Sequence, residues 1–225
     1  MIPGALLAAW PLFGLAVRHG DLELRYPSDD LVAALGRVVH DRLLPPEHRY
    51  FMPNLMRAVA DDEAATVRNV LAYHWGARRD TGAGDWRLPL AVLLDGEVVG
   101  EQEVRAVEFR VLGDVRTGSF LAPAVRGRGV GTRMRALALE LAFAHLGARS
   151  VSSGYAVGNR ASAGVSAKLG YRPDGIVLEA IDGVRHEVQR LRLARDRWST
   201  VRPRWLDDVE VTGLGPVRRF LALDS

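Results

Sequence analysis

Ten residues constrain this chain more than any others: Val125-Arg-Gly-Arg-Gly-Val-Gly-Thr-Arg-Met134. They follow a short apolar run with β character, Thr117 to Ala122, closed by Pro123. They lead into apolar residues at helical spacing, Val130, Met134, Leu137 and Leu141. A strand, a glycine-rich turn and a helix start, in that order, make an anion site. Glycines let the backbone turn its N–H groups inward without Cβ clashes, and the new helix adds unpaired N–H groups and the positive end of its dipole. Arg126, Arg128 and Arg133 add positive charge nearby. A pyrophosphate is the ligand this geometry suits best, and a glycine turn before a core helix is the plain alternative.

Two familiar phosphate motifs do not fit. A Walker loop needs Gly-Lys-Ser/Thr, and the chain's only lysine is Lys168. The dinucleotide fingerprint needs G-x-G-x-x-G and an acidic residue about 20 positions on. Here the glycines fall at 127, 129 and 131, with Arg149 and Ser150 where the acid would stand. Composition narrows the rest. At 225 residues and 48% hydrophobic, the chain has enough apolar surface for one sizeable core, so a single domain over 1–225 is expected. A net charge of +3 is too small to argue for nucleic acid. The seven arginines between Arg185 and Arg204 are interrupted or followed by acids and fit a strand's solvated face. With no cysteine, thiolate zinc sites and a Cys nucleophile are excluded. The apolar residues 4–17 lack a basic leader and carry Pro11, so they predict neither a signal peptide nor a membrane span. No membrane partner is expected, and the cytoplasm is the expected location.

Along the chain, Leu22, Leu24 and Tyr26 alternate with polar residues as in a half-buried strand, and Ser28 or Asp29 then caps a helix. A prolyl loop over 43–53 precedes a second helix, about Asp61 to Arg78. Strands are predicted at 88–94, from Val98 onward, over 103–112 and over 116–121. After the glycine turn come a long helix ending at Gly147, a strand 149–157, a helix 159–169 and strands 171–181 and 184–194. Apolar parity shifts between Val188 and Leu191, which predicts a bulge or exposure of both faces there. In the segment 199–225, Val209-Glu-Val is expected to pair and Phe220-Leu-Ala-Leu to dock on the body.

Arg126-x-x-Gly129-x-Gly131 resembles the [Q/R]-x-x-G-x-[G/A] motif of the GNAT acyl-CoA N-acyltransferase superfamily. Asn159-Arg-Ala-Ser162 and Lys168-Leu-Gly-Tyr171 resemble the N-x-x-S and K-L-G-[F/Y] segments of its RimJ/RimL-like branch. Trp10-Pro-Leu-Phe13, Leu22 to Tyr26 and Asp85 to Ala91 resemble an actinobacterial-type subgroup that includes succinyltransferases. The resemblance spans roughly residues 10–198. It implies an α/β (α+β) GNAT fold: a mixed, mostly antiparallel twisted sheet of about seven strands with about four flanking helices. It also implies a homodimer as an option, since the superfamily's final strands often pair across dimers.

For function, the resemblance implies acyl transfer from acetyl-CoA, or from succinyl-CoA, to a primary amine on a small molecule or a protein N-terminus. No metal is called for. Arg126, Gly127, Arg128, Gly129, Val130, Gly131 and Thr132 would wrap the CoA pyrophosphate. The pantetheine would lie as a pseudo-strand beside Phe120 and Leu121, with Asn159 on its flank and Ser162 as either contact or cap. His48, Tyr50, Phe51 and Asn54 would see the acceptor, the alternative being a surface loop with buried aromatics. Many members carry a tyrosine seven residues after the asparagine to assist the thiolate; here Ser166 stands there. Glu103 and Ser119 head the candidates for moving the amine proton, with Glu101 and Glu108 behind them. An α-amine, pKa near ~8, costs about 3 kcal/mol less to deprotonate than a lysine near ~10.4, so an α-amine or a low-pKa small amine is the expected acceptor. A catalytically silent CoA-binding or sensing protein of the same fold is the alternative.

Overall fold

In the computed structural model, described over residues 2–40, 59, 61–181 and 184–224, one nine-stranded sheet organises the chain. Its strands are β1 (Ala16–His19), β2 (Leu22–Arg25), β3 (Trp86–Leu94), β4 (Glu97–Ala106), β5 (Asp114–Leu121), β6 (Ser150–Ala156), β7 (Arg172–Ile181), β8 (Val184–Ala194) and β9 (Glu210–Thr212). Their spatial order is β7-β8-β6-β5-β4-β3-β2-β1-β9, and every pairing is antiparallel except β5 with β6. The sheet is larger than the expected seven strands. The additions are short: β1, between β2 and β9, holds four residues, too few for a readable period of two, and β9, at the sheet's edge, holds three beside the expected pairing at Val209-Glu-Val.

The helices are α1 (Gly4–Ala9), α2 (Asp29–His40), α3 (Glu63–Arg79), α4 (Phe109–Leu112), α5 (Val130–Glu140), α6 (Arg160–Lys168), α7 (Arg195–Val201) and α8 (Leu214–Phe220). Four of them, α2, α3, α5 and α6, exceed seven residues and are the ones the sequence pattern announces. Ser28 caps α2 by accepting from the Leu31 N–H, and Asp62 caps α3 by accepting from Ala65. The helices α2 and α3 share one apolar cluster, Val32, Leu35, Val39, Val70 and Tyr73, against which Val98 and Phe120 pack. On the other face α5 lies in the main core with Leu24, Leu88, Val104 and Val115. It continues as a wider turn, Leu141–His145, before Gly147 at φ 85° ends it.

One local expectation is corrected and another is located. Residues 103–106 continue β4, and 109–112 form a helical turn instead of a strand. Glu108 takes the left-handed conformation, φ 47°, with its N–H held by Asp85, and that kink ends the strand. The irregularity facing Val188–Leu191 lies on the partner strand, where the register slips between Pro173 and Ile176 around Gly175.

The C-terminal segment is tied down. β9 pairs with β1, Leu221 is fully buried, and Arg202 grips Glu140 of α5 through two hydrogen bonds of 2.8 and 2.9 Å. Glu140 is 5% exposed, so its charge depends on that partner. Arg202→Ala should therefore lower unfolding free energy by ~3–5 kcal/mol in a urea titration, by stranding a buried carboxylate. A loss below ~1 kcal/mol would mean Glu140 finds water or a second partner.

Candidate active site

The parallel pair β5–β6 is joined only at Asp114–Arg116 with Ser150–Ser152. Two side-chain bonds close the apex: Ser153 donates to the Thr117 carbonyl at 3.1 Å, and Thr117 donates to the Ser152 carbonyl at 3.4 Å. Beyond it β6 stays with β8 while β5 stays with β4, so the two strands part. Parting leaves a backbone edge of β5, residues 118–121, facing a gap. That edge is suited to an extended ligand arm hydrogen-bonding as a strand.

The glycine turn stands at the mouth of this gap. Pro123–Val125 make a single 3₁₀ turn, and Gly127 and Gly129 follow with φ 73° and 82°. Gly129 is the N-cap of α5, and no side chain caps the helix. A Cβ at Gly127 or Gly129 would meet nothing within 4 Å, so the backbone faces open space on that side. Positive φ here is what lets the peptide groups turn toward one centre, which glycine adopts without penalty. Arg128 is exposed beside it. Val130 is buried and anchors the first turn, and the N–H of Thr132 returns to the Gly129 carbonyl at 3.1 Å.

Two of the arginines do other work as well. Arg126 folds back so that Nε and Nη2 donate to the Leu121 carbonyl at 2.9 and 2.8 Å, locking the strand end to the turn. Partial burial lowers its pKa from the usual arginine value. Arg133 instead pairs with Asp21 in the β1–β2 turn, holding that carboxyl below its ordinary range. It supports the fold away from the glycine turn.

On the far side of the gap, Asn159 caps α6 by accepting from the Ser162 N–H at 3.1 Å. Asn159, and not Ser162, is the cap. Ser162 offers its carbonyl to the Ser166 hydroxyl at 2.9 Å, and Ser166 is 1% exposed. The structure brings Ser166 and Ser119 together through a residue that the sequence pattern did not flag. Arg135 donates Nη1 to Ser166 Oγ and Nη2 to Ser119 Oγ, both at 3.0 Å.

The carboxylates sort by depth and place. Glu101 and Glu103 alternate onto the face of β4 that α3 covers. Glu103 sits across from Gly118 of β5, and its Oε1 accepts from Arg87 Nε at 2.8 Å and Nη2 at 2.6 Å. Arg87 also donates to the Tyr73 hydroxyl, and burial pushes that phenol well above its ordinary value, so it stays neutral. Glu101 is 4% exposed, with Oε2 2.9 Å from Nε2 of the 1%-exposed His74, a buried polar pair under α3. Glu108 belongs to the opposite end of β4 from Gly100, which is the residue that neighbours Leu121 and the glycine turn. His48, Tyr50, Phe51 and Asn54 lie outside the described residues. Among the described residues no cluster of His, Cys, Asp and Glu has the makings of a metal site, and no helix is long and apolar enough to cross a membrane.

The sheet thus splays at its one parallel pair, and a glycine turn stands at the mouth of the gap. Residues 21–172 match the family described as the GNAT acetyltransferase domain, and the chain belongs to that family. The fold recurs in RimJ of Mycobacterium smegmatis, solved with CoA-disulfide, at 23% identity and TM-score 0.63 over 83% of this chain and 89% of that one. It recurs in the ribosomal-protein-S5-alanine acetyltransferase of Vibrio fischeri, at 14% identity and TM-score 0.62 over 81% and 98% of the two chains. Mutant forms of the spermidine/spermine N-acetyltransferase of Vibrio cholerae share it at 15% identity and TM-score 0.59, over 81% and 98%. This is the fold expected from the resemblance to the RimJ/RimL-like branch.

Proposed function

We propose that this chain transfers an acetyl group from acetyl-CoA to a primary amine, by direct attack of the amine within a ternary complex. The observation that carries the reading is the alignment of two features. The edge of β5 that β6 leaves, with its Leu121 carbonyl taken by Arg126, runs straight into the Gly127–Gly129 turn and the uncapped N-terminus of α5. The turn 126–132 would take the pyrophosphate on the backbone N–H groups of residues 127–131, since those of Arg126 and Thr132 already bond to Pro123 and Gly129, with Arg126 and Arg128 adding charge. The pantetheine would pair along Phe120 and Leu121, flanked by Asn159 and Ser162 of α6. Phe120 packs toward α2 and α3, so the acyl end would arrive on the face where Glu103 stands.

On that face Glu103 keeps one oxygen, Oε2, without a protein partner among the described residues. A water held there would take the amine proton as the C–N bond forms. His48, Tyr50, Phe51 and Asn54 would border the acceptor. The acceptor is a low-pKa amine, an α-amine of a small molecule or of a protein N-terminus. Succinyl-CoA is the alternative donor, supported by the subgroup resemblance. A cytoplasmic place and a homodimer complete the reading.

Incubating the purified protein with acetyl-CoA and a panel of amines, and following free CoA, tests this. Turnover is expected with α-amines and little with lysine side chains. Tight CoA binding by calorimetry without turnover on any amine would favour the silent CoA-binding reading, for which the loss of the usual tyrosine at Ser166 is the supporting observation. Faster turnover with succinyl-CoA than with acetyl-CoA would reassign the donor.

A further inference from the structure

Arg135 is a buried cation without a buried anion. It lies one helical turn beyond Gly131, on the α5 face whose Gly131 position looks at Leu121 of β5 and Val165 of α6. It is 6% exposed, and among the described residues no carboxylate pairs with it. Tyr171 is the one ionisable side chain acting on it, and burial raises that phenol so that it stays neutral. Among the described residues the guanidinium Nε has no acceptor. A charge held this way is desolvated and only partly compensated by its two hydroxyls, so it favours negative charge appearing beside it.

The two hydroxyls on Arg135 differ in what they have left to give. Both accept from the guanidinium at 3.0 Å. Ser166 spends its own proton on the Ser162 carbonyl. Ser119 has no acceptor for its proton among the described residues, and it is exposed on β5 just past the apex where β5 and β6 part. A hydroxyl that accepts from a cation is a stronger donor in turn. Its proton is therefore free for a ligand in the gap.

We propose that Ser119 is the leaving-group donor of this acyltransferase, with Arg135 as the positioning residue behind it and Ser166 fixing the guanidinium. This rests on the acyltransferase reading above. As the amine nitrogen forms its bond to the thioester carbon, the C–S bond breaks and its electron pair goes to the CoA sulfur. Ser119 donates a hydrogen bond to that sulfur and keeps its proton. The amine proton leaves through the water at Glu103, and the thiolate takes a proton from solvent on release. The buried charge lowers the energy of the thiolate, which is the work a tyrosine acid at position 166 would otherwise do.

The thiolate's ultraviolet absorbance, followed against pH in the complex of the full chain with CoA, reads this directly and needs no acceptor. A free thiol titrates near ~8.5, and one beside a cation titrates as low as ~7.5 or below. The thiol of bound CoA is expected to titrate at least about one pH unit below free CoA. Arg135→Met should return it to the free value or above while calorimetry still detects CoA. Ser119→Ala should raise it as well, and Arg135→Lys should keep part of the shift. A bound thiol that titrates like free CoA in the unaltered protein, or an unchanged shift in Arg135→Met, overturns the assignment. If Arg135→Met does not fold, Ser119→Ala decides alone, since it deletes one oxygen on an exposed residue and leaves Arg135 its bond to Ser166: an unchanged shift overturns, a raised pKa supports. Failure of the unaltered protein to bind CoA at all overturns the acyltransferase reading itself, and this assignment with it.

Discussion

Gly129→Glu should abolish CoA binding in calorimetry while the melting temperature moves by only a few degrees. Gly129 holds φ 82° at the N-cap of α5, and a Cβ there meets nothing within 4 Å. The fold thus tolerates the side chain at the cost of left-handed strain, about 1–2 kcal/mol for a residue other than glycine. The ligand does not tolerate it. A carboxylate at this helix start would accept from the same N–H groups and take the same dipole field that a pyrophosphate needs. Losing two charge-assisted hydrogen bonds at ~1.5–3 kcal/mol each weakens CoA by about 10²- to 10⁴-fold. Gly147→Glu is the matched control, because Gly147 also holds a positive φ, 85°, in open space but ends the far turn of the same helix region. It should carry the same strain and bind CoA normally. Equal CoA affinity in both variants would place the pyrophosphate elsewhere.

The parts of this site written along the chain are the parts that sequence makes legible. The glycine turn, the apolar helix after it and the Asn159 start of α6 are local: each needs only its neighbours to take shape. The main strands are legible for the same reason, because alternation survives wherever one face is buried. Glu103 is legible as a strand residue, but the sequence pattern assigns it to a separate strand 103–112 where β4 runs on through Ala106. What joins it to Arg87 and Tyr73 is a meeting of β3, β4 and α3 that no spacing encodes. Arg135 shows the limit most clearly. In sequence it reads as one more arginine in an arginine-rich chain, and its only signal is a charge within a helix otherwise buried on two sides. Burial of that charge depends on α6 and β5 closing over it from 31 and 16 residues away. The residues 107–112 mislead for the converse reason: Val107, Val111 and Leu112 are apolar but exposed, so their pattern reports no buried face.

Glu103→Gln should lower kcat by about 10²-fold or more, with CoA affinity unchanged, because general base assistance is worth roughly 10²–10⁴. The geometry gives the reason. Both Arg87 nitrogens bind the same oxygen, Oε1, which fixes the carboxylate plane and leaves Oε2 for a water. Opposite stands Gly118, whose missing side chain leaves nothing within 4 Å of its Cβ position. That opening lies on the β5 edge beyond the apex, where the thioester would be presented. Glutamine preserves the Arg87 contact through its carbonyl and the shape of the site, but it does not take a proton. Glu101→Gln is the discriminating companion. Glu101 is sealed beneath His74, so glutamine there should alter stability through the buried pair and leave kcat within about threefold. Steady-state rates at saturating amine separate the two. If Glu101→Gln loses the rate and Glu103→Gln keeps it, the proton leaves by way of the His74 pair, and the ion pair with Arg87 serves only to brace β3 against β4.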